Sequence, residues 1–334
     1  MATVLVAGAT GFVGINIARD LAEAGYDVVA QDIIAPDALA EGFVAPWAER
    51  VTWVTGDLAD PAVAGELDAH VPELVVNAAA YTPYDEQEQE RFRFAFDNNL
   101  ASHLNLLDLA GRVGTRRFVF VSKMEVYTSE YRLEFDDHVT LAEDRPIAPR
   151  HVYGISKVAS ESMLARYGEF FGVETASVRL AQNWGPMERV TPYHARMSIP
   201  YAWARRLARG EPVEASPFGA GVTKGRCLNQ DHPYVLDTAA AIRALLEAPE
   251  LRHDVYNVSA GGPVFLDDLV AAAREVAPDV RFAGDVPADN AQTRPGISLD
   301  TARLEADTGF APAFTLASAL EHCVAWRREA GFLD

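Results

Sequence analysis

The segment Gly8-Ala-Thr-Gly11-Phe-Val-Gly14 constrains this chain more than any other. It lies between an apolar run, Thr3–Ala7, and an amphipathic one, Gly14–Ala24, whose Ile15, Ala18, Leu21 and Ala22 share a face. The first run reads as a buried strand and the second as a helix. Glycines at this spacing permit a tight turn, a close approach of backbone to a pyrophosphate, and close packing of helix on strand. The helix start then offers N–H groups to an anion. The expected contacts are Gly8, Thr10, Gly11, Phe12, Val13 and Gly14. Asp32 closes the next strand, eighteen residues after Gly14. A carboxylate there accepts from a ribose diol and repels a 2′-phosphate, so NAD is expected over NADP.

Strand-like runs follow at Asp27–Gln31, Val51–Thr55, Leu74–Asn77, Phe118–Ser122, Thr175–Leu180 and Val255–Val258, with helical stretches between them. Continuous apolar strands alternating with helices imply a parallel sheet covered on both faces. The expected fold is α/β: a doubly wound parallel Rossmann sheet with a small C-terminal substrate-binding domain. Residues 1–180 and 228–260 are assigned to the NAD-binding part, and 181–227 with 261–334 to the substrate part. At the ends of the third and fourth strands, Asp57, Leu58, Ala78 and Ala79 are further candidates for cofactor contact, though each is also an ordinary turn residue. The stretch Glu86–Ala110 reads as a long helix. It cannot bury Phe92, Phe94 and Phe96 on one side, so a partner subunit is one destination for them.

Composition narrows the functions. Hydrophobic residues make up 49% of the 334 residues and charged ones 23%, which excludes a disordered chain. The net charge of −19 argues against nucleic acid or anionic lipid as a partner. Basic residues nevertheless gather at Arg189, His194, Arg196, Arg205, Arg206, Arg209, Lys224 and Arg226, and the three helix arginines are expected to form a solvated face. Cys227 and Cys323 lie in no metal-ligand pattern, so no metal is expected. No apolar run has the length of a membrane span, and the start of the chain does not read as a signal peptide; a cytoplasmic protein is the expectation.

Tyr153-Gly-Ile-Ser-Lys157 puts a phenol and an ammonium four residues apart, on one helix face. A phenol of ordinary pKa near ~10 is a poor base at neutral pH, and a nearby ammonium is expected to lower it. With the glycine motif and Asp32, this pair makes the chain resemble an extended short-chain dehydrogenase/reductase of the NAD-dependent epimerase/dehydratase family, which acts mainly on nucleotide sugars. The resemblance extends through Asn99 in Asn-Leu-Ala-Ser-His-Leu-Asn-Leu-Leu and Phe-Val-Phe-Val-Ser before Val126-Tyr127. It continues in Arg179 with Trp184-Gly185-Pro186, Tyr234-Val-Leu-Asp237, Arg294-Pro-Gly and Thr308-Gly-Phe-Ala-Pro312. It implies NAD held tightly and used transiently, Lys157 and Asn99 in cofactor binding, a sugar substrate, and a homodimer built from the long helices.

Four positions depart from the family pattern or stand out within it. Lys123 occupies the place of the usual Ser or Thr, with Ser122 one residue earlier. Either Lys123 polarises a ketone or depresses Tyr153, or it points away and Ser122 takes the role. Gln182, beside Asn183, stands for the usual Asn, and Gln230 for an Arg that grips diphosphate, while Arg294 survives. Tyr81 joins these as a candidate substrate contact. Glu125 matches the C–H base of dehydratases of this type, but Met124 stands where their acid is expected. The leading expectation is therefore an NAD-dependent sugar dehydratase acting through a keto intermediate. Tyr153 and Lys157 oxidise a hydroxyl and Glu125 removes a C–H proton. An epimerase, a net dehydrogenase and a catalytically silent dinucleotide sensor are the rivals.

Overall fold

A computed structural model describes residues 2–83, 87–127, 138–191, 197–214, 230–283 and 296–332. The chain runs β1 (Thr3–Ala7), α1 (Phe12–Glu23), β2 (Asp27–Asp32), α2 (Ala38–Val44), β3 (Val51–Thr55), α3 (Pro61–Leu67), β4 (Leu74–Asn77) and α4 (Glu88–Val113). It continues with β5 (Arg117–Lys123), β6 (Val139–Leu141), α5 (Val152–Phe171), β7 (Glu174–Leu180), α6 (Ile199–Arg209), β8 (Val213–Glu214) and β9 (Gln230–Asp231). Then come α7 (Val235–Glu247), β10 (Val255–Val258), β11 (Pro263–Val264), α8 (Leu266–Val276), β12 (Phe282–Ala283), β13 (Ile297–Leu299), α9 (Ala302–Thr308) and α10 (Leu316–Glu329).

Seven strands form one sheet in the order β10-β7-β5-β4-β1-β2-β3, and every neighbouring pair is parallel. Alternate residues feed opposite faces. Val4, Val6, Val119 and Val121 join one core with Ile17, Leu21, Ile242 and Leu245. Leu5, Ala7, Phe118 and Phe120 join the other with Leu106, Leu109 and Leu164. Both faces are thus covered, which is why these strands read as unbroken apolar runs. The strand order reverses at β1, which pairs with β2 on one side and β4 on the other. The crevice beyond the carboxyl ends of β1 and β4 is where such a sheet binds ligand.

Two helices differ from the sequence expectation by a few residues at their ends. The first begins at Phe12 rather than Gly14, because Gly11 is extended and serves as its N-cap. The long helix spans Glu88–Val113 rather than Glu86–Ala110. On the long helix, Phe92 and Phe94 are about half exposed, at 47% and 48%, while Phe96 stacks on Phe92.

A third core, away from the large sheet, collects Trp184, Tyr201, Trp203 and Leu207 with Leu269, Leu320 and Cys323. Strands β11-β9-β13-β6 make a small sheet beside it, and β12 pairs with β8. Leu304 of α9 belongs to the first of the sheet cores, so the chain after residue 260 serves that core as well as the third. The expected solvated arginine face is partly buried instead. Arg206 donates to the Pro212 carbonyl, and Arg206 and Arg209 lie 3.8 and 3.6 Å from Glu211. His194, Arg196, Lys224, Arg226 and Cys227 lie outside the described residues.

Candidate active site

Two loops form a cradle at the strand reversal. Gly8 has φ +77°, and a Cβ there would stand 2.7 Å from the Ala79 nitrogen. A Cβ on Gly14 would stand 1.9 Å from the Gly8 carbonyl oxygen. Only glycine lets these backbones meet. Asn77 sets the second loop by accepting from the Ala79 N–H at 3.1 Å, while its amide nitrogen lies 3.0 Å from His103 Nδ1. The opening turn of α1 carries no acidic residue and no side-chain cap, which leaves it suited to an anion. Asp32 accepts from the Thr10 N–H at 2.9 Å and the Ile34 N–H at 3.3 Å, which ties the glycine loop to the end of β2. The cradle fits a dinucleotide: glycine backbone for pyrophosphate, and a partly exposed carboxylate for ribose. Asp57 is exposed and accepts from the Ala59 N–H. Leu58 buries its side chain at 4% exposure, so only its backbone can face a cofactor, and its carbonyl already accepts from Asn105.

Helix α5 brings the phenol and the ammonium to the same mouth. A Cβ on Gly154 would lie 2.7 Å from the Glu125 carbonyl oxygen, so this glycine lets the helix press against the turn that follows β5. Lys157 Nζ donates to the Val121 carbonyl at 2.7 Å, and lies 4.5 Å from the Phe120 ring centre and 5.5 Å from that of Tyr153. Burial pushes its ammonium down to about 7; Lys123 acts in the same direction, while Glu161 and Glu125 oppose it. For Tyr153 the expected direction is reversed. Burial pushes the phenol well up, the Glu125 charge adds to this, and a hydrogen bond from Thr82 works against it. Lys157 faces the ring and is itself largely desolvated, so within the protein alone it does not overcome burial of the phenol.

The turn after β5 separates its candidates. Ser122 is 1% exposed and donates to Glu161, which also accepts from Arg179 at 2.7 and 3.1 Å. Its hydroxyl therefore points into the protein, which corrects its candidacy as the reacting hydroxyl's partner. Lys123 is partly exposed, and its Nζ donates to the Ala181 carbonyl at 2.7 Å. Met124 is buried. Glu125 is only partly exposed, its Oε2 is buried, and no described residue hydrogen-bonds that oxygen. Its charge bears on both Tyr153 and Lys157.

Asn99, a cofactor candidate, and the substrate-side candidates are drawn in less closely. Asn99 spends its amide on protein groups: the Tyr81 N–H at 2.7 Å, the Tyr81 carbonyl at 3.0 Å and Ser156 Oγ at 3.1 Å. The Tyr81 ring packs edge-on against Phe94 at 5.1 Å, so it serves the loop. Asn183 is buried between the Ala181 carbonyl and the Thr238 hydroxyl. Gln230 is 4% exposed in β9. Gln182 is partly exposed, and its N–H donates to the Asp231 carbonyl. Arg294 lies outside the described residues.

A family model for the NAD dependent epimerase/dehydratase family matches residues 4–259. The chain belongs to the NAD-dependent epimerase/dehydratase family. A dTDP-glucose 4,6-dehydratase of Xanthomonas campestris pv. campestris is 27% identical over 348 residues, covering 98% of this chain and 93% of that one. A putative UDP-glucose 4-epimerase of Methanocaldococcus jannaschii is 25% identical over 329 residues, covering 97% and 98%. Among solved structures, a Thermus thermophilus UDP-glucose 4-epimerase in complex with NAD superposes with TM-score 0.72 at 26% identity, covering 97% and 98%. The cofactor of this family member is NAD, and its relatives include both nucleotide-sugar dehydratases and epimerases.

Among the described residues there is no metal-ligating cluster, and no helix is long and apolar enough to cross a membrane. Sequence reasoning passed over Glu161, Thr82 and His103. Glu161 carried a readable signal, because it continues the Tyr153 and Lys157 spacing by one more turn. Thr82 and His103 carried none; their contacts come from loops and helices brought together by the fold.

Proposed function

We propose that this chain is an NAD-dependent sugar dehydratase in which one carboxylate removes a carbon-bound proton. The observation that carries the reading is Glu125. A buried carboxylate oxygen lacking a described partner stands close enough to Tyr153 and Lys157 to perturb both. A buried acceptor held without a partner is costly, and such groups are kept where a ligand supplies the missing interaction. NAD in the glycine cradle supplies a hydride acceptor that later gives the hydride back. Tyr153 takes the proton of the sugar hydroxyl as that carbon is oxidised. Lys157 would hold the nicotinamide ribose when NAD is bound, and its ammonium, 5.5 Å from the Tyr153 ring centre, would favour the phenolate. Glu125 then removes the proton made acidic by the adjacent ketone, which allows the β-substituent to depart.

Met124 favours a second reading. It is buried where an acid would protonate the leaving hydroxyl, so Glu125 lacks a neighbouring proton donor in the same turn. A sugar epimerase needs no such donor. A net dehydrogenase would share Tyr153 and Lys157 and release reduced cofactor in stoichiometric amount. Turnover of dTDP-glucose and UDP-glucose in D2O separates these outcomes. Deuterium next to the carbonyl carbon supports the dehydratase, unlabelled epimer the second reading, and stoichiometric reduced cofactor the third.

The same reading includes a homodimer through α4 and α5. These helices pack together and expose Phe92, Phe94, Leu104, Phe170 and Phe171. Exposed apolar side chains on one pair of helices are what support this reading. Phe92→Asp with Phe170→Asp should give a monomer by light scattering; an unchanged mass would remove this face from consideration.

A further inference from the structure

Two bases act in the proposed reaction, and they sit on different elements. Tyr153 is carried by α5, while Glu125 is carried by the single helical turn Met124–Val126 that follows β5. No described residue hydrogen-bonds Glu125 Oε2, so this oxygen takes its place from the backbone that bears it. What holds that backbone is therefore part of the geometry of the site.

The residues on either side of the turn meet one buried ion pair. At its entrance, Ser122 donates to Glu161. At its exit, the Tyr127 hydroxyl accepts from Arg179 Nη1 at 3.0 Å and donates to Asn257 Oδ1 at 2.9 Å. Arg179 closes the pair by donating to Glu161 at 2.7 and 3.1 Å, and it also donates to the Glu143 carbonyl at 3.1 Å. The Arg179 and Glu161 side chains are only 5% and 7% exposed. A buried ion pair is a poor source of net stability, because desolvation offsets the attraction and apolar residues of like volume often serve as well. What this pair holds together accounts for it better. Glu161 lies four residues beyond Lys157 and eight beyond Tyr153 on α5. The pair therefore ties the turn bearing Glu125 to the helix bearing Tyr153, which Gly154 already allows to press against the Glu125 carbonyl.

We propose that Glu161 and Arg179 are positioning residues: they hold the Glu125 turn at both ends and so fix the spacing of the two bases. The proton lost in the second step sits on the carbon next to the oxidised one, so the two bases must reach neighbouring atoms of one sugar. A misplacement of about 1 Å in such an arrangement costs about 10²-fold in rate. Ser122 and Tyr127 are the handles by which the pair grips the turn, and neither needs to touch the substrate. The proposal rests on Glu125 being the C–H base.

The test uses NAD-loaded protein with dTDP-glucose or UDP-glucose, whichever turns over, and reads two steps apart. Reduction of bound NAD in a single turnover reports on Tyr153. Exchange of solvent deuterium into the position beside the ketone reports on Glu125. Tyr127→Phe and Ser122→Ala remove the hydroxyls that grip the turn and leave the ion pair in place. Tyr127→Phe should slow this exchange about tenfold and the double variant about 10²-fold, with the reduction step and KM within about twofold of wild type. The Tyr127 amide, bonded to the Met124 carbonyl at 3.0 Å, should exchange its own hydrogen about tenfold faster in Ser122→Ala. Equal losses in both steps, the mark of general damage, overturn the proposal. So does wild-type deuterium exchange in the double variant while Glu125→Gln abolishes it, a result that leaves the base standing. Undiminished exchange in Glu125→Gln, or none in the wild type, overturns Glu125 as the base and the proposal with it.

Discussion

The loop after β1 and the turn after β5 sit at the carboxyl ends of strands in one sheet, with β4 between them, yet they are specified in opposite ways. The glycine loop works by omission. Its backbone reaches Ala78 and Ala79 because positions 8 and 14 lack a Cβ, and that requirement is local. The turn at 122–127 works by where side chains point. Ser122 goes inward to Glu161 and Lys123 to the Ala181 carbonyl, while the Glu125 charge bears on Tyr153 and Lys157. Strand alternation predicts that neighbours diverge, but the partners that receive them come from α5 and from the residue just past β7. A binding cradle for a common cofactor is thus readable in one segment, whereas the chemistry applied to the substrate depends on three.

The largest expected effect tests the side-chain half. Tyr153→Phe should keep the fold and NAD binding but lose about 10²–10⁴-fold in turnover, the range for removal of a general base. A wild-type rate would dissolve the contrast between the regions, since Tyr153 would then be packing alone.

Glu125→Gln comes next and probes the turn itself. The Gln variant should still reduce bound NAD in a single turnover and then stall, with solvent deuterium no longer entering the product. Normal turnover with unlabelled product would hand the site to the epimerase reading.

A smaller effect is expected at Glu161, which joins the turn to α5. Its carboxylate raises the proton affinity of Lys157, so Glu161→Gln should lower a value already near 7. The form that donates to ribose is the ammonium, present below that pKa and lost as pH rises through it. NAD affinity measured by calorimetry should therefore begin to fall at lower pH in the variant, by about one unit, or tenfold at a fixed pH above it. Because Arg179 would be left buried without its partner, at a cost of about 3–5 kcal/mol, the double variant Glu161→Gln with Arg179→Met serves as the better-folded comparison. An unmoved profile in both would confine Glu161 to architecture.

The smallest effect belongs to the cradle. Asp32 should hold NAD at least about tenfold more tightly than NADP, roughly 1.4 kcal/mol, and Asp32→Ala should narrow the gap. Equal calorimetric affinities in the wild type would remove Asp32 from cofactor selection.

Much of this protein follows from sequence alone, for a physical reason that recurs in each case. Strands buried on both faces must be apolar throughout, so β1, β4 and β10 coincide with the apolar runs that announce them. A turn that excludes Cβ atoms must be glycine, so the cradle is visible in Gly8, Gly11 and Gly14. The spacing of Tyr153 and Lys157 follows from one helical turn. Tertiary structure alone decided the rest. It turned Ser122 away, spent Asn99 and Asn183 on the protein's own groups, and packed the Tyr81 ring on Phe94. It also set the direction in which Tyr153 is shifted, because burial outweighs a neighbouring ammonium that is itself desolvated. Local periodicity encodes which face of an element is buried. What lies opposite that face, and how much water remains between, is a property of the assembled chain.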